Sequence, residues 1–198
     1  GRIDRLIEVA TVAEVVMEDS ARAIGYYRQV VEIERHHEEG LDALERLYTQ
    51  QEQFVDLATL LAGRVDNCSD EDAMAIHLQL VDLHLHALEN SDKAIPHLEQ
   101  ALLIRPDDDD ARELAEECLQ IDSLKTAAAT LLDGVYEAAD DVRALVGVLD
   151  IRLEAAESDA DRRELLGRIA VLRDERLKDD RGAFDALCEL LPLEAEDL

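Results

Sequence analysis

Six histidines, three cysteines and a run of four aspartates are the side chains here whose type could support metal binding or catalysis. His77 and His84 stand seven residues apart and so share one face of a helix, whereas the paired histidines of zinc proteases are four apart. His84 and His86 diverge by about 200° on a helix. His97 belongs to the next helical segment and could approach His77 or His84. An all-helical metal-binding or enzymatic bundle would therefore place its site at His77, His84, His86 and His97. His36 and His37 fall at a helix end, where a cationic imidazole would favour the negative pole. Cys68, Cys118 and Cys188 are odd in number, far apart and without a CxxC pair, which reads as small half-buried helix residues.

The aspartates Asp107–Asp110 follow Pro106. A calcium loop needs oxygens alternating over about a dozen residues, a glycine turn and a distal glutamate, and "PDDDDAREL" has none of these. Pro106 ends one helix, and the aspartates suit the cap and first turn of the next. Paired carboxylates recur throughout, and a general acid among them would need burial to raise its pKa. No GxSxG, phosphate-cradling glycine loop or Ser/His/Asp spacing is present. No catalytic, cofactor-binding or metal residue is assigned, and the chain reads as non-enzymatic.

What must position any site is helical. Glycine (8) and proline (3) are scarce, aromatics make up 3% of the 198 residues and tryptophan is absent, so the core must be aliphatic. Forty-eight acidic against 20 basic residues give a formal charge of −28. That field repels nucleic acid and anionic membranes; it suits a basic partner or a salty environment, which the sequence does not separate. No apolar run reaches the roughly 20 residues of a membrane span, so no membrane insertion is expected.

Apolar residues recur at three- and four-residue spacing, as in Ile3, Leu6, Ile7, Ala10, Ala13 and Val16. Breaks rich in Asp, Ser and Asn divide the chain into about eleven helices, near 2–18, 20–34, 38–50, 53–67, 70–89, 91–104, 108–119, 123–138, 141–157, 160–178 and 180–191. Short connections fold consecutive helices back on each other.

The chain also repeats itself. At an offset of 88 residues Leu44 matches Leu132, Tyr48 matches Tyr136, Leu57 matches Leu145, Leu61 matches Leu149 and Arg64 matches Arg152. One residue out of phase the match continues, from Ser69 with Ser158 to Leu88 with Leu177. A form [DN]-x-x-x-A-[IF]-x-x-[YL] occurs at Asp19, Asn90 and Asp179, placing Ala23, Ala94 and Ala183 where helices approach closely and Tyr27, Leu98 and Leu187 in the next layer. Stacking such units covers apolar faces that no single unit covers alone.

At these residues the chain resembles the tetratricopeptide repeat family, whose unit is an antiparallel helix pair of about 34 residues. The clearest unit spans 75–108, with Leu78, Val81 and Leu85 on its first helix and Ala94, Leu98, Ala101 and Pro106 on its second; Asp82 stands where the family has a small residue. A further unit runs through Leu41, Leu44, Tyr48, Leu57 and Leu61. The resemblance implies an all-α fold, an α-solenoid of helix pairs wound as a right-handed superhelix. It would form one repeat domain over 1–198 with sub-blocks 1–104 and 105–198. The helical rhythm from the first residues and a start without Met fit a segment of a longer repeat protein. The resemblance also implies a scaffold that holds a protein or peptide in a concave groove without a cofactor. Its groove positions fall on Asp42, Arg46, Thr49, Gln79, His86, Thr130, Glu137, Arg168 and Glu175. The Lys and Asn with which one subclass clamps a terminal carboxylate are absent from these positions. An uncapped terminal helix would allow weak self-association.

Overall fold

The computed structural model describes residues 1–195, and among them there are eleven α-helices and no strand. They are α1 (Arg2–Val15), α2 (Ser20–Ile33), α3 (Glu38–Gln50), α4 (Phe54–Ala62), α5 (Asp70–Asp82), α6 (Ala94–Ile104), α7 (Asp109–Cys118), α8 (Lys125–Ala138), α9 (Val142–Ala155), α10 (Asp159–Val171) and α11 (Asp180–Ala195). The all-α class and the helix count agree with the sequence reading. Three boundaries differ. α4 stops at Gly63, and a separate 3-10 turn covers Val65–Asn67. α5 and α10 each run into a π-helical turn, Leu83–Ala87 and Leu172–Leu177. α11 continues to Ala195, with Pro192 in its last turn. Among the described residues no helix is long and apolar enough to cross a membrane.

Helix starts follow the acidic and serine breaks. Asp19, Ser69, Asp108, Asp141 and Ser158 each accept a hydrogen bond from the backbone N–H three residues on, at 3.0–3.2 Å, which satisfies a donor the helix cannot. Asp108 thus caps α7 while Asp109 and Asp110 occupy its first turn; the aspartate run is helix punctuation. His37 corrects the sequence reading. Its Nδ1 accepts from the Gly40 N–H at 3.2 Å, so it caps the start of α3 and lies at the positive pole rather than the negative one. The cysteines also depart from one common environment: Cys118 is buried, Cys68 half-buried and Cys188 exposed, all three free. Burial pushes the Cys118 thiol up to about 11.

The chain divides into two compact units, residues 1–90 and Ser91 onward, whereas the sub-blocks read from the sequence divide after 104. The 88-residue period accounts for this edge, since a second copy of a block starting near residue 1 begins near 90. In the first unit α1 packs on α2, α2 on α3, α3 on α4 and α4 on α5; in the second the same order runs from α6 to α11. Leu44, Leu47, Leu57, Leu61 and Leu80 are fully buried in the first unit, and Leu98, Leu132, Leu149, Leu166 and Ile169 in the second. Each such leucine contributes about 1.5–3 kcal/mol of burial. Ala23, Ala94, Ala111, Ala115 and Ala128 are also wholly buried, because helices that meet at alanine approach closely.

The two units share local geometry at repeat-related positions. Glu52 (φ 55°) and Asp140 (φ 57°) take the left-handed conformation just past α3 and α8. There the Gln53 N–H donates to Tyr48 O (2.8 Å) and the Asp141 N–H to Tyr136 O (3.0 Å), the six-to-one closure of a helix end. Tyr48 and Tyr136 are both buried, and both phenols are held by the residue 20 positions earlier. Arg28 Nε donates to Tyr48 OH at 2.6 Å, and Tyr136 OH donates to Glu116 Oε1 at 2.9 Å. Burial first, then Glu116, pushes the Tyr136 phenol up to about 12.

His77 lies buried on α5 at the place Leu166 holds on α10. Burial lowers its pKa from the ordinary histidine value, so the fold resists a proton that the unfolded chain accepts below about pH 6.5. Its stabilising share is complete above that pH and is lost on acidification. We expect His77→Leu to flatten the fall in urea midpoint between about pH 7.5 and about pH 5.5, at up to about 1.4 kcal/mol per pH unit. Equal pH slopes for variant and wild type would refute this.

Candidate partner-binding site

In the first unit the approach of α3, the end of α4 and α5 leaves an open concavity of about 660 Å³. Its wall carries Glu38, Asp42 and Glu45 from α3, Arg64 after α4, and Asp72, Ile76 and Gln79 from α5. Helical spacing explains the set: 38, 42 and 45 share one face of α3, and 72, 76 and 79 one face of α5. Arg64 holds the walls together. Its Nη1 donates to Glu45 Oε2 (2.5 Å) and its Nη2 to Asp42 Oδ1 (3.2 Å). Gln79 Nε2 reaches Glu45 Oε1 at only 3.4 Å. A neighbouring concavity of about 600 Å³ shares Asp42, Glu45 and Arg64 and adds Arg46, Thr49 and Gln50.

The second unit builds the same feature. Thr126, Thr130, Arg152, Asp161, Leu165 and Arg168 line a concavity of about 190 Å³. At offsets of 88 and 89 they answer to Glu38, Asp42, Arg64, Asp72, Ile76 and Gln79. Its clamp is stronger. Arg152 Nη1 donates to Asp133 Oδ2, and Arg168 Nη1 donates to the same oxygen at 2.8 Å. Arg168 Nη2 lies 2.8 Å from Asp133 Oδ1 and 3.2 Å from Glu137 Oε2. The first of these contacts lacks hydrogen-bond alignment and acts as Coulomb attraction. The hydrogen bond to Asp133 raises the Arg168 pKa further above its ordinary value, fixing its charge. Arg168 in place of Gln79, and Glu164 in place of Ala75, fill space that stays open in the first unit.

Most of the groove positions read from the sequence gather here. Asp42, Arg46, Thr49 and Gln79 surround Glu45 and Arg64, and Thr130, Glu137 and Arg168 surround Arg152 and Asp133. Arg46 is not free to meet a ligand, since both its Nη1 and its Nη2 (3.0 Å) donate to the Glu14 carboxylate of α1. Thr49 and Thr130 bond back to their own helices through Glu45 O and Thr126 O. His86 and Glu175 lie elsewhere. His86 Nδ1 is 3.0 Å from Asp82 Oδ1, and Glu175 lines a separate shallow concavity with Val171 and Phe184. Both sit in the π-helical turns, whose extra residue per turn rotates them off the face that α-helical spacing assigns. Sequence reasoning missed Glu45, Arg64, Asp133 and Arg152 as a set. Its signal was an acid followed by arginine 19 residues on, in both copies.

The histidines do not gather in this way. His77 is buried on α5, His84 Nδ1 donates to Asn90 Oδ1 at 2.6 Å, and His97 lies on α6 in the second unit. Among the described residues no three of His, Cys, Asp and Glu are placed to hold a metal ion. No protein-family model matches the chain, and no curated protein matches it.

Proposed function

We propose that the chain is a non-enzymatic interaction scaffold of tetratricopeptide-like helix pairs, which holds a protein or peptide partner against the concavities beside α3–α5 and α8–α10. The supporting observation is the duplication: equivalent residues frame an open, polar concavity in each unit, around an arginine salt-bridged across two helices. Clamps of this kind hold the walls of a recess in place, which keeps a docking surface preorganised. Sequential packing from each helix to the next fits repeat units that bury one another's apolar faces.

Exposed lining residues make the best probes, because reversing Arg46 or Arg168 would crowd carboxylates around Glu14 or Asp133 and disturb the packing itself. The test is affinity capture from the native lysate by the immobilised chain, by Glu38→Lys/Asp42→Lys and by Thr130→Lys/Glu164→Lys. A partner retained by the wild type and lost with either double variant, at unchanged helical circular dichroism, is the expected outcome. Unchanged capture by both would show that the concavities are not the docking surface.

A further inference from the structure

The two concavities are one design with one informative difference. In the second unit the Arg168 guanidinium lies over the acidic residue at the centre of the recess, contacting Asp133 and Glu137. In the first unit that place belongs to Gln79, a shorter and neutral side chain that meets Glu45 only at the edge of hydrogen-bond range. Glu38 and Asp42 replace the neutral Thr126 and Thr130. The first recess therefore has more carboxylate, one guanidinium fewer and more than three times the open volume. The second unit displays, within the same chain, the group that satisfies such a recess.

From this we infer that the first-unit concavity takes a guanidinium supplied by a partner, an arginine side chain of a basic protein segment seated against Glu45 and Asp42 where Arg168 sits in its twin. The inference rests on the docking reading above and names the chemistry of the partner. Arginine fits better than lysine because its planar fork can bridge two carboxylates at once. A peptide fits better than a small cation because the recess continues past Asp42, Glu45 and Arg64 into a second one of about 600 Å³, far more room than one guanidinium fills. The −28 charge of the chain draws such a segment in.

A fluorescent decapeptide alternating Arg and Ser, titrated with the intact chain and followed by anisotropy, tests the idea. Gln79→Arg copies the second unit's own guanidinium into the first recess and is expected to weaken binding about tenfold or more. Gln100→Arg makes the same charge change on the exposed face of α6 and is expected to stay within about twofold of wild type. Gln79→Lys serves as the second variant should Gln79→Arg lose its helical circular dichroism. Equal weakening by the residue-79 and residue-100 variants would reveal a diffuse polyanion effect and overturn the inference, as would no binding at all. A Lys–Ser decapeptide binding as tightly would overturn the preference for guanidinium. Argininamide binding as tightly as the Arg–Ser peptide would overturn the peptide occupant. A native partner lost with Glu38→Lys/Asp42→Lys but indifferent to Gln79→Arg would remove the arginine pocket and leave the docking reading standing.

Discussion

Leu98→Ala is expected to destabilise the second unit by about 3–4 kcal/mol, whereas Leu187→Ala costs under about 1 kcal/mol. The two leucines hold the same place in the repeated form, four residues after Ala94 and Ala183. Leu98 is 0% exposed and Leu187 is 47% exposed. Truncating Leu98 leaves a cavity among close-packed neighbours, and helices that already touch through Ala94 and Ala101 have little freedom to collapse into it. Leu187 keeps much of its surface in water and leaves no such hole. Urea unfolding followed by far-UV circular dichroism compares them directly. Equal costs would mean that another surface covers Leu187 in solution, as the self-association expected from the sequence would require.

The second large effect falls on Asp133. Its side chain is 10% exposed and accepts from both Arg152 and Arg168, which are 29% and 31% exposed. Asp133→Asn keeps the volume but leaves two guanidiniums facing each other across a neutral amide. Breaking a buried ion pair costs about 3–5 kcal/mol, and the partial exposure of both arginines reduces this to about 2–3 kcal/mol here. Glu45→Gln, the matching change in the first unit, should cost under about 1 kcal/mol, because Arg64 keeps Asp42 as an acceptor and no second arginine is stranded. Arg168→Gln added to Asp133→Asn should recover part of the loss, since it removes one of the stranded charges. A double variant as unstable as the sum of its parts would contradict the clamp.

The helices were legible because their cause is local. Spacing of three and four, and Asp or Ser at each start, fix the elements before any packing occurs, and the caps at Asp19, Ser69, Asp108, Asp141 and Ser158 bear this out. His37 was misjudged because an imidazole can serve either helix pole, and only the Gly40 N–H reveals which. The π-helical turns carry no marker in side-chain type, so His86 and Glu175 were assigned to a face they do not reach. The clamps were hidden for another reason. With 48 acids in the chain, no single carboxylate stands out, and only the three-dimensional meeting of Glu45 with Arg64, or Asp133 with Arg152, selects one. The shift of the repeat from 88 to 89 falls between Arg64 and Ser69, in the connection that ends α4 early and lets α9 run on to Ala155. Because the added residue lies between helices, α5 and α10 keep their faces in phase, and Gln79 and Arg168 come to equivalent places.

The wide turn at Leu172–Leu177 has a consequence for how this protein can change length. Such a turn is a helix carrying one surplus residue, and removing that residue would restore the ordinary ladder at little local cost. Everything downstream would then swing by about 100°, carrying Ala183 and Ala186 away from α10 and turning Asp185 toward it. A single-residue deletion there thus reads as a frameshift of surfaces, harmless to the backbone that hosts it and ruinous to the helix that follows.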